Sequence, residues 1–229
     1  MTKPIAVILS GCGFMDGSEI HESICTLLAL DKAGVQYQCL APDIKQTRVI
    51  NHLTKKEIPN ETRQVLVEAA RIARGNIKDI KTANPNDFAA AIYPGGFGAA
   101  CNLSDFASQG ANSTVQTDVL VFAKAMAKAS KPQGFICIAP ALISKIYGAD
   151  VEHTIGTDKE TANAIASMGG KHVNCQTTDI VIDKKHKVVS TPAYMLATRI
   201  SEVEAGVSKL VQAVLVFLKE EAKTSPVRV

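Results

Sequence analysis

The chain has 229 residues, of which 46% are hydrophobic and 21% are charged, and this balance excludes an intrinsically disordered protein. Lys and Arg (25) barely exceed Asp and Glu (22), whereas dedicated nucleic-acid binders usually carry a clustered basic excess, so we expect no nucleic-acid partner. No stretch approaches about 18 uninterrupted apolar residues, so we expect no membrane span. The length suits one domain with insertions better than two full domains.

Short apolar segments alternate with helical patterns along the chain. The apolar segments, typical of strands covered on both faces, are residues 5–9, 37–40, 89–93, 134–138 and 188–190. The helical patterns cover residues 19–32, 61–74, 117–129, 139–147, 161–168 and 195–218. Residues 182–189 are predicted to form a hairpin. The alternation predicts an α/β fold with a mostly parallel sheet and right-handed crossovers. We assign residues 1–218 to this single domain and residues 219–229 to a flexible tail.

The cysteines raise the question of disulfides. Their six positions are 12, 25, 39, 101, 137 and 175. The N-terminal segment lacks the charged region, long apolar run and cleavage site of a secretory signal. We therefore expect reduced thiols and a cytoplasmic location. No two cysteines form a CxxC pair, so we expect no zinc site and no metal.

Cys137 differs from the other cysteines in its surroundings. It follows an apolar strand and precedes Ala139-Pro140, and proline is favoured in the first turn of a helix. This strand-to-helix corner is the geometry of a nucleophile elbow, and a helix N-terminus there is expected to lower the pKa of the thiol. The alternative is an inert buried cysteine at a strand end. Phe135 argues against the elbow, because tight elbows prefer a small residue two positions before the nucleophile.

Gly95 and Gly96 follow another predicted strand. Adjacent glycines allow the backbone to turn its N–H groups inward, and together with the N–H of Ile138 they form a candidate oxyanion site. The alternative is a plain tight turn.

The glycine-rich loop at 10–18 leads into a helix whose start is acidic. Asp16, Glu19 and Glu22 would repel phosphate, and no GxGxxG fingerprint is present, so we expect no nucleotide cofactor. These carboxylates either cap the helix or lie at the strand ends beside the thiol. A carboxyl next to a thiolate would have a raised pKa and stay protonated as a hydrogen-bond donor.

Histidine is the usual partner of a catalytic cysteine, but Ile138 follows Cys137 directly. His153 and His172 are in the segment after the elbow helix, and each is a candidate third member of a hydrolase triad or a surface residue. His21 and Cys25 share a helical face without evident further metal ligands.

Five segments in this order resemble the ElbB subgroup of the ThiJ/PfpI, class I glutamine amidotransferase-like superfamily. The segments are IAVILSGCG at 5–13, DGSEIHE at 16–22, YPGGFGAA at 93–100, GFICIAP at 134–140 and TPAYM at 191–195. Members of the subgroup are called enhancing lycopene biosynthesis protein, sigma cross-reacting protein or glyoxalase ElbB. The resemblance spans nearly the whole chain.

The resemblance implies a flavodoxin-like three-layer sandwich and a homodimer. It implies that Cys137 is the nucleophile and that Gly95-Gly96 is the oxyanion turn. The superfamily's first-helix glutamate falls on Glu22, with Glu19 one turn earlier as the alternative. The chain departs from the proteases and amidotransferases of the superfamily, because TPA at 191–193 stands where amidotransferases have His-x-Glu.

Three functions compete at this point. The first is a cofactor-free glyoxalase that converts glyoxal and related small aldehydes to the hydroxy acid through Cys137 and a carboxylate. The second is a non-enzymatic redox-sensing or regulatory protein linked to isoprenoid metabolism, since an acidic thiol is also a peroxide target. The third is an amidotransferase-like hydrolase that would need His153 or His172 at the sulfur.

Overall fold

The computed structural model describes residues 3–224. Its strands are β1 (Ile5–Ile8), β2 (Tyr37–Ala41), β3 (Ile50–Asn51), β4 (Lys56–Glu57), β5 (Ile77–Asp79), β6 (Ala90–Tyr93), β7 (Gln133–Ile136), β8 (Glu152–His153), β9 (Lys171–His172), β10 (Val181–Asp183) and β11 (Val188–Thr191). Its α-helices are α1 (Ile20–Lys32), α2 (Val65–Ile72), α3 (Phe97–Cys101), α4 (Phe106–Gln109), α5 (Thr117–Lys128), α6 (Ile143–Tyr147), α7 (Lys159–Ser167) and α8 (Ile200–Thr224).

The central sheet has seven strands in the order β10-β11-β7-β6-β1-β2-β5. Every neighbouring pair is parallel except β10 and β11, which form the predicted antiparallel hairpin. All residues of β1, β6, β7 and β11 are buried, which explains why these segments are apolar without alternation. The predicted α/β, flavodoxin-like three-layer sandwich is confirmed.

Helices cover both faces of this sheet, and β1 shows how the two layers are divided. Ile5 and Val7 belong to the core cluster that contains residues of α1, α2 and α8. Ala6 and Ile8 belong to the opposite cluster, with residues of α5 and α6. Because successive side chains of a strand point to opposite faces of the sheet, β1 contributes side chains to two separate hydrophobic cores.

The helix predicted at 61–74 is shorter in the structure, because its first residues pair with another segment. Gln64 is extended and forms an antiparallel bridge with Lys45, and the N–H of Gln46 donates to the carbonyl of Arg63 at 2.8 Å. Residues 44–64 therefore form an insertion between β2 and α2, and the short hairpin β3–β4 lies at its centre.

The predicted boundary of the last helix is also different. Ala193–Met195 form a separate 3₁₀ turn, and α8 runs from Ile200 to Thr224, so residues 219–224 are helical rather than a tail. The rest of the predicted tail, 225–229, is outside the described residues. In the described part of the chain, no helix combines the length and apolarity that crossing a membrane requires.

Candidate active site

The carboxyl ends of β1, β6 and β7 meet at one edge of the sheet, and Cys137 lies there. Strand β7 ends at Ile136, two residues before its predicted end, because Cys137 has φ +62°. A left-handed backbone is unfavourable for a residue with a side chain and is a recurrent property of nucleophile elbows. The N–H of Cys137 donates to the carbonyl of Thr191 at 3.0 Å, which ties the corner to β11.

The small residue that a tight elbow needs comes from the neighbouring strand. Phe135 is stacked on Tyr93 of β6, with ring centroids 4.6 Å apart, and is directed away from the corner into the second core cluster. Gly95 instead lies against the cysteine, since a Cβ at Gly95 would be 2.4 Å from the Cβ of Cys137. The objection that Phe135 raises against the elbow therefore does not apply.

Glu22 lies beneath the thiol and is completely buried. Its Oε2 accepts a hydrogen bond from the N–H of Gly95 at 2.9 Å, its Oε1 accepts one from the N–H of Tyr194 at 3.2 Å, and the carboxyl is hydrogen-bonded to Cys137. Burial, followed by the charge of Glu19, raises the pKa of Glu22 to about 8. The structure thus brings Glu22 and Cys137 together, in a site where the carboxyl keeps its proton at neutral pH.

Glu19 has a different position from Glu22. It is the N-cap of α1, and its Oε2 accepts a hydrogen bond from the N–H of Glu22 at 2.7 Å. Burial raises its pKa. Its side chain lines the cavity above the thiol, which that of Glu22 does not.

The three candidate oxyanion residues have two different roles. The N–H groups of Gly96 and Ile138 donate toward the sulfur of Cys137. The N–H of Gly95 is engaged by Glu22, so its prediction as an oxyanion donor is wrong in this geometry. Gly96 has φ +89°, and a Cβ there would be 2.4 Å from the backbone nitrogen of Glu19, so both glycines are required for close packing.

The expected acidity of the thiol is also wrong. Burial and the charge of Glu22 raise the pKa of Cys137 well above its ordinary value, and the N–H groups of Gly96 and Ile138 only partly oppose this. The helix after the corner begins as a short 3₁₀ turn, Ala139–Leu142. The N–H groups of this turn do not offset the rise in the thiol pKa that burial of the sulfur causes.

A cavity of about 400 Å³ opens above Cys137. It is lined by Phe14, Glu19, Gly96, Phe97, Ala100, Phe106, Ala107, Cys137, Ile138, Thr161, Tyr194 and Met195. The thiol therefore faces a space where a small molecule can bind.

The candidate histidines lie elsewhere. No histidine is among the described residues that line this cavity. His153 is buried, with Nδ1 2.8 Å from the carbonyl oxygen of Val151, and burial lowers its pKa to about 4. The ring of His172 is 3.3 Å from the N–H of Ile155. The geometry thus gives Cys137 a carboxyl partner, not an imidazole.

The structure adds one residue that the sequence did not identify. Tyr194 supplies a backbone N–H to Glu22 and lines the cavity, and its hydroxyl is 2.7 Å from Nδ1 of His21. It follows Ala193, which has φ +43°. The only signal in the sequence is the segment TPAYM, whose role is apparent once β11 lies beside β7.

Potential metal ligands are scattered over the described residues. Within residues 3–224, no group of three or more His, Cys, Asp or Glu side chains is arranged to bind a metal ion. The six cysteines all lie in this range and are free thiols.

The chain was compared with known proteins. No family model matches it. It is 41% identical over 220 residues to the human glutamine amidotransferase-like class 1 domain-containing protein 3, mitochondrial, covering 92% of this chain and 82% of that protein. The chain belongs to the glutamine amidotransferase-like class 1 domain family. A rat relative, the ES1 protein homolog, mitochondrial, is 40% identical over 220 residues, with the same 92% and 82% coverage.

Solved structures agree with this assignment. The isoprenoid biosynthesis protein with amidotransferase-like domain from Ehrlichia chaffeensis is 35% identical, with a TM-score of 0.88 over 95% of this chain and 100% of that one. The ThiJ/PfpI domain protein from Brachyspira murdochii is only 12% identical, yet its fold matches with a TM-score of 0.61 over 96% of this chain and 98% of that one. The fold of this family member is therefore that of the ThiJ/PfpI superfamily.

The comparisons correct the expected location. The curated relatives are named as mitochondrial proteins, which contradicts the cytoplasmic location expected from the sequence. The expected location rested on an argument against export, and that argument does not distinguish the cytoplasm from an organelle.

Proposed function

We propose that this family member is a cofactor-free glyoxalase of the ElbB subgroup that converts glyoxal and related small aldehydes to hydroxy acids. The observation that supports this most is the contact between Cys137 and the buried carboxyl of Glu22 beneath an open cavity. An aldehyde is electrophilic enough to react with a thiol that is paired with a carboxylate and has no imidazole.

In the first step, the sulfur of Cys137 forms a bond to one aldehyde carbon of glyoxal. The thiol proton passes to Glu22 in its ionised form, which is the minor form at neutral pH because the pKa of Glu22 is about 8, and the carbonyl electron pair moves to the oxygen. The N–H groups of Gly96 and Ile138, which face the sulfur, stabilise that negative oxygen. Return of the proton to the oxygen gives a hemithioacetal.

In the second step, a carboxylate removes the hydrogen of the sulfur-bearing carbon as a proton and returns it to the neighbouring carbon through an enediolate. The proton of the hemithioacetal hydroxyl passes to the oxygen of that neighbouring carbon. The sulfur-bearing carbon is oxidised to a thioester and its neighbour is reduced to a hydroxymethyl group, so no external oxidant or reductant is needed. We assign this transfer to Glu22, with Glu19 as the alternative because it lines the cavity. Water then cleaves the carbon–sulfur bond, which releases glycolate and restores the thiol.

The test is to incubate the purified chain with glyoxal in the absence of glutathione and to measure glycolate. We expect wild-type protein to form glycolate and Cys137→Ala to form none. Cys101→Ala is the matched control, because Cys101 is also a free thiol but does not line the cavity. Full activity of Cys137→Ala would refute the mechanism.

A second candidate is a regulatory role linked to isoprenoid metabolism, favoured by the name of the relative from Ehrlichia chaffeensis. The raised pKa of Cys137 argues against the redox-sensing form of this role, because the thiolate is the species that peroxide oxidises. No turnover of glyoxal, combined with preferential oxidation of Cys137 at low peroxide, would favour the second candidate.

We also propose, from the family resemblance, that the protein is a homodimer. Sedimentation equilibrium of the purified chain tests this directly, since a monomer would have the 24.3 kDa of the sequence.

A further inference from the structure

We infer that the cavity above Cys137 selects uncharged 2-oxoaldehydes with an aromatic or similarly bulky apolar substituent, and that Phe14 and Phe97 determine this selectivity. The inference rests on the proposed function, because it names the substrate class of the same site. Four independent features of the cavity support it.

The first feature is size. A cavity of about 400 Å³ holds the equivalent of roughly a dozen water molecules and lies in the range of sites for drug-sized ligands. Glyoxal, the smallest dialdehyde, would fill a minor part of this space. A substrate that contacts both the thiol and the mouth must therefore carry a substituent on its second carbonyl.

The second feature is the chemical character of the walls. The lining is dominated by aromatic and aliphatic side chains, among them Phe106, Ile138 and Met195. No lysine or arginine is among the described residues that line it, and Glu19 is the acidic residue there. Arg48, whose guanidinium is 5.3 Å from the ring centre of Phe97, is not among the lining residues. A carboxylate or phosphate inside the cavity would therefore lose its hydration without a cationic side chain in the described lining, so uncharged substrates are favoured.

The third feature is a pair of phenylalanines at the mouth. Phe14 is 45% exposed and Phe97 is 48% exposed, and both line the cavity, so their apolar surfaces are accessible to a ligand that enters it. The N–H of Phe97 donates to the carbonyl of Phe14 at 2.7 Å, so the two residues are held side by side.

The fourth feature is that residues of the insertion at 44–64 contact both rings. The rings of His52 and Phe14 form a T-shaped contact with centroids 5.4 Å apart, and the guanidinium of Arg48 lies 5.3 Å from the ring centre of Phe97. The buried carboxylate of Asp16 accepts a hydrogen bond from the N–H of Ile50 at 2.7 Å, which joins the insertion to the loop that carries Phe14. Rings held in this way form a preorganised apolar mouth.

The test compares kcat/KM for phenylglyoxal, methylglyoxal and glyoxal, with formation of mandelate, lactate and glycolate as the readout. We expect kcat/KM to rise in the order glyoxal, methylglyoxal, phenylglyoxal, with phenylglyoxal about tenfold or more above glyoxal. Phe97→Ala should lower the ratio of kcat/KM for phenylglyoxal to kcat/KM for glyoxal by about tenfold. Val121→Ala, at an exposed apolar position of α5, should leave this ratio unchanged. Equal values for glyoxal and phenylglyoxal would overturn the inference and leave the proposed function intact.

A binding measurement separates this inference from the proposed function. Cys137→Ala protein is titrated with 2-hydroxyacetophenone and with hydroxyacetone, two unreactive ketones, by ligand-observed NMR. Tighter binding of 2-hydroxyacetophenone that Phe97→Ala weakens would support the inference even if no aldehyde is turned over. Absence of that preference would overturn it whatever the activity.

Discussion

The carboxyl of Glu22 and the thiol of Cys137 are hydrogen-bonded to each other in a site where burial raises the pKa of both groups. Only the ionised carboxylate accepts the thiol proton, and the pKa of Glu22 is about 8. We therefore expect kcat/KM for glyoxal to increase with pH and to level off above about 8. Glu19→Gln removes a negative charge that raises the pKa of Glu22, so its profile should shift to lower pH. A profile that is flat between pH 6 and 9 would contradict this role.

Replacing Glu22 with glutamine should separate the acidity of the thiol from catalysis. The charge of Glu22 and its hydrogen bond both raise the pKa of Cys137, so Glu22→Gln should move the pH profile of alkylation by iodoacetamide to lower pH. Turnover should nevertheless fall by about 10²–10⁴-fold, because the proton acceptor is lost. Glu22→Asp, which retains a carboxylate, should keep more activity than Glu22→Gln. Activity of Glu22→Gln within tenfold of wild type would indicate that Glu19, and not Glu22, is the proton acceptor.

The positions of Cys137, Glu22 and Gly96 could be predicted because each follows or precedes a strongly patterned element. The carboxyl ends of parallel strands meet at one edge, so the ends of β6 and β7 bring the glycines and the cysteine together. The glutamates open the helix that follows β1, the strand next to β6. Chain order and strand direction therefore place the glycines, the cysteine and the acidic start of α1 at one edge, whereas the choice of Glu22 among the acidic residues comes from the family resemblance.

Other parts of the site depend on contacts that sequence patterns do not contain. The N–H of Gly95 donates to Glu22 rather than to a substrate because the buried carboxyl lies within hydrogen-bond distance of it, and sequence patterns do not indicate that distance. The insertion at 44–64 has strands of only two residues, too short for periodicity, so its contacts with Phe14 and Phe97 could not be foreseen. The local sequence predicts a lowered thiol pKa because it indicates a helix terminus, but it does not indicate the burial that raises the pKa of Cys137.

Because the backbone at Cys137 is left-handed, we expect a glycine variant to be more stable than an alanine variant there, which is the reverse of the usual order. Glycine adopts φ +62° without steric cost, whereas a residue with a Cβ loses about 1–2 kcal/mol. Cys137→Gly should therefore be more stable to urea than Cys137→Ala by about 1 kcal/mol, although both are inactive. At Cys101, the last residue of α3, the same pair should show the opposite order. The same order at both positions would be evidence against a strained elbow.

Gly95 should tolerate no side chain. A Cβ there would be 2.4 Å from the Cβ of Cys137 and 2.8 Å from both Oε2 of Glu22 and the carbonyl oxygen of Ile136, and the positions of a Cβ and a carbonyl oxygen are fixed by the backbone. We expect Gly95→Ala to lower stability by about 1–3 kcal/mol or more and to abolish turnover. Gly34→Ala is the control, because Gly34 has φ +66° but nothing within 4 Å of its Cβ position. Thermal unfolding followed by circular dichroism measures both, and a melting temperature of Gly95→Ala equal to that of wild type would contradict the close packing.

The buried carboxyl also makes stability depend on pH with a defined sign. The pKa of Glu22 is raised from 4.5 to about 8 in the folded state, so between these values the folded protein keeps a proton that the unfolded chain has released. The contribution of Glu22 to stability is therefore fully present below about pH 4.5 and is lost as pH rises to 8, by at most about 1.4 kcal/mol per pH unit.

Urea unfolding of wild type and Glu22→Gln at pH 5, 6.5 and 8 measures this dependence. Subtracting the two free energies of unfolding cancels the contributions of the other titrating groups. We expect the stability advantage of wild type over Glu22→Gln to decrease steadily as pH rises. Glu57→Gln, at an exposed position of β4, should give a difference that does not change in this way. A wild-type advantage that grows with pH would mean that Glu22 is ionised in the folded protein, and it would remove the basis for the activity profile expected above.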